Sequence, residues 1–142
     1  LSFASSWGVC DFDMGKVNPS LGFWTDILGF RVAYSRQDEK FAYLEHTGGA
    51  QMMLCQRHGV WETGPMQPPF GQGVLFQLRV DDLDVILAAI TRANLTPYAP
   101  LREVWRKIGD RMGGQREIFL QDPDGYLVMA EQSLGTRALS TN

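Results

Sequence analysis

The sequence predicts an α+β fold built from two βαβββ modules with their helices packed outside the sheets. Its most informative feature is an internal repeat, in which the stretch from Lys40 to Gln56 aligns without a gap with the stretch from Arg116 to Gln132. An amphipathic helical pattern stands upstream of each stretch, and apolar residues alternate along the predicted strands. Together these three observations indicate two halves with one plan.

Each repeated stretch has the pattern of a β-hairpin. In the second copy, Asp122-Pro123-Asp124-Gly125 places Pro at the second position and Gly at the fourth position of a turn. In the first copy, Thr47-Gly48-Gly49 supplies the turn residues. Both stretches therefore predict two antiparallel strands, and we interpret Gly113-Gly114, just before the second hairpin, as a loop.

The helices complete the plan of each half. Asn18 and Pro19 form a cap and a first-turn proline, and Gly29 is placed to end the first helix. The second helix is predicted to begin near Asp82 or Asp84 and to end at Asn94. Its expected buried positions are Leu83, Ile86, Leu87, Ile90 and Ala93. A strand over Val74–Val80 precedes it, and Trp7 to Phe12 is the expected counterpart in the first half.

Alternation along the strands predicts which face is core. The apolar positions expected to face the helices are Ala42, Leu44, Met52, Leu54, Phe76, Leu78, Val80, Ile118, Leu120, Val128 and Ala130. The intervening positions are mixed, and they include Tyr43, Met53, Cys55, Gln77, Arg79, Glu117, Phe119, Met129 and Glu131. A face this mixed suits a ligand-holding surface, although a partly solvated sheet face has the same pattern.

Size, charge and cysteine content restrict the function classes. We expect residues 1–142 to form one domain, with halves over roughly 1–57 and 73–133 linked by the loop 58–72. The formal charge of -3, with no Lys/Arg run, argues against a nucleic-acid or membrane partner. Cys10 and Cys55 lack the spacing of a zinc or redox motif, so two buried thiols are expected. A cytoplasmic location follows by default.

Three motifs carry a resemblance to a known superfamily. They are the helix end Phe23-Trp24-Thr25-Asp26-Ile27-Leu28-Gly29-Phe30, the junction Val80-Asp81-Asp82-Leu83-Asp84, and the turn Asp122-Pro123-Asp124-Gly125-Tyr126. In this order the chain resembles the vicinal oxygen chelate superfamily, which contains glyoxalase I, extradiol dioxygenases and bleomycin-resistance proteins. The resemblance implies that the two modules join their strands into a cup-shaped mixed sheet, and that the protein forms a homodimer.

Enzymes of this superfamily usually hold a divalent metal with His, Gln or Glu side chains. The resemblance places those ligand positions on Leu75, Met53 and Met129, and a fourth near Val9 or Cys10. No convergent ligand set survives, so we expect no metal, no other cofactor and no catalytic residue. The histidines His46 and His58 lie outside the pattern. A displaced site that combines Glu131 with Gln51 or Gln77 stays an alternative.

A cup without its metal predicts binding rather than chemistry. The chain looks most like the bleomycin-resistance branch, which implies sequestration of a cationic glycopeptide antibiotic and resistance to it. The expected ligand-binding residues are Trp61, Phe70, Trp105, Tyr43, Met53, Phe119, Glu117, Met129 and Glu131. Trp61 and Trp105 have the alternative role of packing at the edge of the core or in the dimer interface. Two further hypotheses are a metal-dependent enzyme with an atypical ligand set and a binder of an unidentified metabolite.

Overall fold

The computed structural model describes the backbone of residues 4–7 and all atoms of residues 19–139. The chain divides into two compact units. Unit 1 comprises Leu1–Val74 together with Gln121–Tyr126, and unit 2 comprises Leu75–Leu120 together with Leu127–Asn142. Unit 1 therefore includes the short turn that connects the last two strands of unit 2.

The described residues of unit 1 form a mixed four-stranded sheet and a short helix. Its strands lie in the order β1-β4-β3-β2, with β1 parallel to β4 and the other neighbours antiparallel. The elements are β1 (Ala4–Trp7), α1 (Pro19–Gly22) continuing as a π-helical turn (Phe23–Ile27), β2 (Arg31–Arg36), β3 (Phe41–Glu45) and β4 (Gln51–Gln56).

Unit 2 repeats this topology. Its strands lie in the order β5-β8-β7-β6, with β5 parallel to β8 and β6 antiparallel to β7. The elements are β5 (Leu75–Arg79), α2 (Leu83–Arg92), β6 (Ala99–Ile108), β7 (Arg111–Gln121) and β8 (Leu127–Ala138). The two matching units confirm the predicted α+β class and the two βαβββ modules.

The structure confirms the predicted end of the first helix and the predicted start of the second. Gly29 has a φ of +79°, a conformation that an L side chain rarely adopts, and the helical turn stops there. At α2, the side chain of Asp82 accepts a hydrogen bond of 2.9 Å from the backbone N–H of Asp84, as an N-cap residue does. Asn18, the predicted cap of the first helix, lies outside the described residues.

Two predictions about the strands need correction. The first strand occupies Ala4–Trp7, so it ends where it was expected to begin, and residues 8–12 lie outside the described part of the chain. Gly113-Gly114 is not a loop but part of β7. Glycine is tolerated in this strand because the side chains of Ile108 and Trp105 lie directly over Gly113 and Gly114.

The core has the predicted register. In unit 1, Leu44 and Leu54 are fully buried on one face of the sheet, and in unit 2 so are Leu120 and Val128. Other buried core side chains include Phe23, Trp24, Leu28, Phe30, Leu83, Ile86 and Ile118. Within residues 4–7 and 19–139, no helix is both long and apolar enough to pass through a bilayer.

Candidate functional site

The sheet face of unit 1 that points away from the core carries a groove of about 640 Å³. Strand register places Tyr43 beside Met53 and Phe41 beside Cys55 on this face. The groove is lined by Arg36, Glu39, Phe41, Met53, Cys55, His58 and Trp61. We call these seven residues the unit 1 pocket.

Aromatic and charged side chains organise one wall of the unit 1 pocket. The guanidinium carbon of Arg36 lies 4.1 Å from the centroid of the Phe41 ring, which is a cation–π distance. Its Nε donates a hydrogen bond of 2.8 Å to Oε2 of Glu39, so the charge of Arg36 is balanced locally. Next to this wall, the rings of Tyr34 and Tyr43 stack with centroids 5.0 Å apart.

The loop after β4 brings two further side chains to the unit 1 pocket. Arg57 donates to both carboxylate oxygens of Glu62 at 2.5 and 2.7 Å, which closes the loop around His58 and Trp61. His58 accepts a hydrogen bond of 3.1 Å from the backbone N–H of Val60 through Nδ1. Trp61 is 81% exposed, so its ring has most of its surface available for contact with another molecule.

Cys55 contributes a thiol to the same wall as Met53. Burial raises the pKa of the Cys55 thiol above its usual value, because desolvation disfavours the thiolate. A protonated thiol is a weak nucleophile and a weak metal ligand. In the unit 1 pocket Cys55 therefore acts as a small apolar side chain.

A second group of polar residues lies on one face of the unit 2 sheet, centred on Glu117. Glu117 is fully buried, and it accepts hydrogen bonds of 2.7 Å from Nε of Arg102 and 3.0 Å from Nη2 of Arg106. Gln115 donates a further hydrogen bond. The bond from Arg106 is the main reason that the pKa of Glu117 is lowered to about 2, against the opposing effect of desolvation. Glu117 is therefore ionised at neutral pH.

Glu131 is the second fully buried carboxylate of this face. Its Oε1 accepts hydrogen bonds of 2.5 Å from Nε of Arg79 and 3.2 Å from Nε2 of Gln77. Arg79 lies in register with Glu131 on the neighbouring parallel strand. We call Arg79, Arg102, Arg106, Glu117 and Glu131 the arginine face of unit 2. Because each carboxylate has an arginine partner, neither offers an uncompensated negative charge to a cationic ligand.

The structure brings together some of the sequence-predicted residues and separates others. Met53 and Trp61 line the unit 1 pocket, and Tyr43 lies next to Met53. Four further predicted residues lie on the side of the unit 2 sheet that carries the arginine face, and two of them, Glu117 and Glu131, belong to that face. Met129 is in register with Gln77. The ring centroid of Phe119 lies 5.3 Å from the guanidinium carbon of Arg102. Phe70 lies in the loop after β4, where its backbone N–H donates a hydrogen bond of 2.9 Å to the carbonyl of Asp124.

Trp105 lies apart from this group, on the opposite face of the unit 2 sheet from Glu117. It pairs with Gly114, which is three residues from Glu117 along β7 and so points to the other side. The guanidinium carbon of Arg137 lies 3.9 Å from the centroid of the Trp105 ring. The indole Nε1–H of Trp105 donates a hydrogen bond of 2.8 Å to Oε1 of Glu103. These contacts favour the packing role that the sequence left open for Trp105.

The residues present do not fit the divalent metal of the related enzymes. The positions that the resemblance assigns to metal ligands hold Met53 in unit 1 and Leu75 and Met129 in unit 2, and neither a thioether nor an aliphatic side chain is a good ligand for a hard or borderline divalent cation. Within the described part of the chain, no three His, Cys, Asp or Glu side chains are grouped so that they could hold a metal ion.

The sequence did not predict five residues of the unit 1 pocket as ligand-binding candidates: Arg36, Glu39, Phe41, Cys55 and His58. Cys55 was placed on the correct face, and extension of the same register to β2 would have added Arg36 opposite Phe41. No pattern in the sequence indicated Glu39 or His58, because both lie in connections outside the strands, where alternation gives no information.

Comparison with known proteins identifies the superfamily of this chain. The sequence profile of the glyoxalase/bleomycin resistance protein/dioxygenase superfamily matches residues 14–130. The chain belongs to this superfamily. No curated protein matches the chain at a significant level.

Solved structures of other superfamily members and relatives are similar to this chain. A glyoxalase/bleomycin resistance protein/dioxygenase superfamily member from Vibrio splendidus is 31% identical, over 84% of this chain and 91% of that one, with a TM-score of 0.41. A virulence protein from Salmonella typhimurium is 18% identical over 92% and 91%, with a TM-score of 0.59. A glyoxalase/bleomycin resistance protein/dioxygenase from Alicyclobacillus acidocaldarius is 15% identical over 94% and 89%, with a TM-score of 0.59. The last two support the superfamily fold.

Proposed function

We propose that this superfamily member is a non-catalytic small-molecule-binding protein that holds its ligand in the unit 1 pocket without a metal ion. The observation that carries the proposal is the composition of that pocket. It combines aromatic rings and sulfur-containing side chains with one internally balanced ion pair, Arg36–Glu39. Apolar walls with a few placed polar groups are typical of binding sites for small molecules.

The pocket suits a planar ligand better than a strongly cationic one. The exposed ring of Trp61 and the Arg36 guanidinium over Phe41 offer flat surfaces for stacking. A bleomycin-type glycopeptide antibiotic, which carries a planar bithiazole tail, is the first candidate ligand. Its attraction would come from stacking, because Glu117 and Glu131 are already paired with arginines.

A titration of metal-free bleomycin into EDTA-treated protein tests the proposal. We expect saturable heat in calorimetry, with about one ligand per chain. Replacement of Trp61 with Ala should raise Kd about tenfold, because one aromatic stacking contact contributes about 1 kcal/mol or slightly more. Tyr98→Ala is the matched control, because Tyr98 is a 65% exposed aromatic residue of unit 2 that does not line the unit 1 pocket.

The possible results separate the parts of the proposal. No heat and no fluorescence change would exclude the antibiotic as ligand. An equal loss of affinity in the Trp61 and Tyr98 variants would exclude the unit 1 pocket as its binding site. Stoichiometric divalent metal in protein purified without chelator, together with turnover of a glyoxalase or dioxygenase substrate, would contradict the non-catalytic role.

A further inference from the structure

The arginine face of unit 2 contains a buried hydrogen-bond acceptor without a donor. Oε2 of Glu131 is buried, and among the described residues it has no hydrogen-bond partner, whereas Oε1 of the same carboxylate has two. A buried carboxylate oxygen left without a donor destabilises the folded state, because nothing compensates for its desolvation. This oxygen therefore calls for a donor that the described part of the chain does not supply.

The side chains that hold this carboxylate allow another molecule to approach. Gln77 and Arg79 both bond to Oε1 rather than Oε2, and both are exposed, with 69% of the Arg79 side chain accessible. Long unbranched side chains at a surface change rotamer in nanoseconds or less. Both side chains can therefore change position without any movement of β8, the strand that carries Glu131.

Donors for an anion lie beside the unpartnered oxygen. Within the described residues Arg79 donates only through Nε, so the terminal amino groups of its guanidinium remain for a ligand. At the turn between β7 and β8, the backbone N–H of Asp122 donates to the carbonyl of Tyr126. A β7–β8 ladder that continues from this pair without a bulge places Glu117 directly opposite Glu131. The face then holds three arginines against two carboxylates, a formal excess of one positive charge.

We propose that this face binds a small molecule that carries an N–H or O–H donor next to a carboxylate, as in an α-amino acid or an α-hydroxy acid. The donor bonds to Oε2 of Glu131, and the carboxylate pairs with the terminal amino groups of Arg79. A carboxylate alone leaves the buried oxygen unsatisfied, and an amine alone leaves the terminal amino groups of Arg79 without an acceptor. The proposal goes beyond the proposed function, because it concerns unit 2 and does not depend on the unit 1 pocket.

Four probes of one size class test this chemistry on the full chain. L-alanine and L-lactate carry both groups, acetate carries only the carboxylate, and ethylammonium carries only the donor. We would follow the Arg79 Nε–H signal in protein labelled with ¹⁵N at arginine, at constant ionic strength, and identify the signal by its loss in Arg79→Gln. We expect L-alanine or L-lactate to shift it saturably, with a Kd at least about tenfold lower than that of either one-group probe.

Substitutions of Glu131 and Arg79 show whether these residues bind the probes. In Glu131→Gln the group facing the ligand is no longer a charged acceptor, so the selectivity for two-group probes over acetate should disappear. Arg79→Gln should abolish binding, measured by calorimetry. The matched controls are Glu45→Gln and Arg31→Gln, because Arg31 pairs with Glu45 and its side chain is also 69% accessible. Both controls should bind like the unsubstituted protein.

Several outcomes would overturn the proposal. If none of the four probes shifts the Arg79 signal, Oε2 is satisfied by water alone. If acetate shifts the signal as strongly as L-alanine does, Oε2 has no role in binding. If Glu131→Gln fails to fold, Arg79→Gln decides, because its side chain is mostly exposed. Bleomycin binding and its loss in the Trp61 variant are read separately, so either proposal can fail alone.

Discussion

Glu117 is a buried carboxylate that keeps its charge because arginines bond to it from the neighbouring strand. Strand alternation predicted the face on which Glu117 lies, but it gave no indication of the partners Arg102 and Arg106. Those partners depend on the register between β6 and β7, which shifts between Ala99 and Arg102. A register shift flips every following side chain and has no simple signature in the sequence.

The depressed pKa of Glu117 makes part of the stability depend on pH. Its pKa falls from an ordinary value of 4.5 to about 2 on folding, so the native state binds fewer protons than the unfolded chain. The stabilisation is complete above about pH 5 and disappears as pH falls towards 2; its size is about 3 kcal/mol at most. Glu117→Gln should therefore lower the free energy of unfolding at neutral pH, and the gap to the unsubstituted protein should narrow with acid.

Urea unfolding followed by tryptophan fluorescence measures this gap between about pH 6 and about pH 3. Glu39→Gln is the control, because Glu39 belongs to an exposed ion pair with Arg36 and such pairs contribute about 0–1 kcal/mol. Its effect should be small at every pH. A gap for the Glu117 variant that stays constant across the range would contradict the assigned pKa.

At the scale of elements, the β6–β7 hairpin is the part of the fold that the sequence described least well. Paired glycines usually mark loops, which is why Gly113-Gly114 was interpreted as one. The structure instead shows that the indole of Trp105 occupies the space that a side chain at position 114 would take. A packing contact between neighbouring strands of this kind overrides the local preference of glycine, and the hydrophobic periodicity of the sequence does not reveal it.

Gly114→Ala should destabilise the protein by about 1–3 kcal/mol, because the new Cβ would lie 2.6 Å from the Trp105 ring. The ring has little freedom to move, since Glu103 and Arg137 hold it from two sides. Thermal or urea unfolding measures the loss. Gly64→Ala is the control, because a Cβ there meets nothing within 4 Å.

A double-mutant cycle identifies the cause of the loss. In the Gly114→Ala background, Trp105→Leu should cost less than it does alone, because the ring is the group that clashes with the new Cβ. Strictly additive losses would show that Gly114 is required for a reason other than the overlying indole.

At the scale of the whole molecule, most of the architecture could be predicted because the repeat, the helix ends and the alternation agree with one another. The oligomeric state could not be predicted in the same way, because the pattern of a single chain gives no information about a partner subunit. We propose a homodimer on the basis of the superfamily resemblance. Size-exclusion chromatography with light scattering should then give about twice the chain mass of 15.9 kDa. A mass of one chain across the concentration range would rule the dimer out.

The turn from Asp122 to Tyr126 limits where the chain can be divided into fragments that keep their hydrogen bonds. Its Asp122 accepts a hydrogen bond of 3.1 Å from Nε1 of the buried Trp24, and Asp124 accepts one of 2.9 Å from the hydroxyl of Ser20. Unit 1 is therefore assembled from two separate stretches of chain. A fragment that ends at Val74 would lack both acceptors and expose the indole N–H that Asp122 satisfies. If the two modules arose by duplication of one ancestral segment, the first has since become dependent on residues encoded in the second.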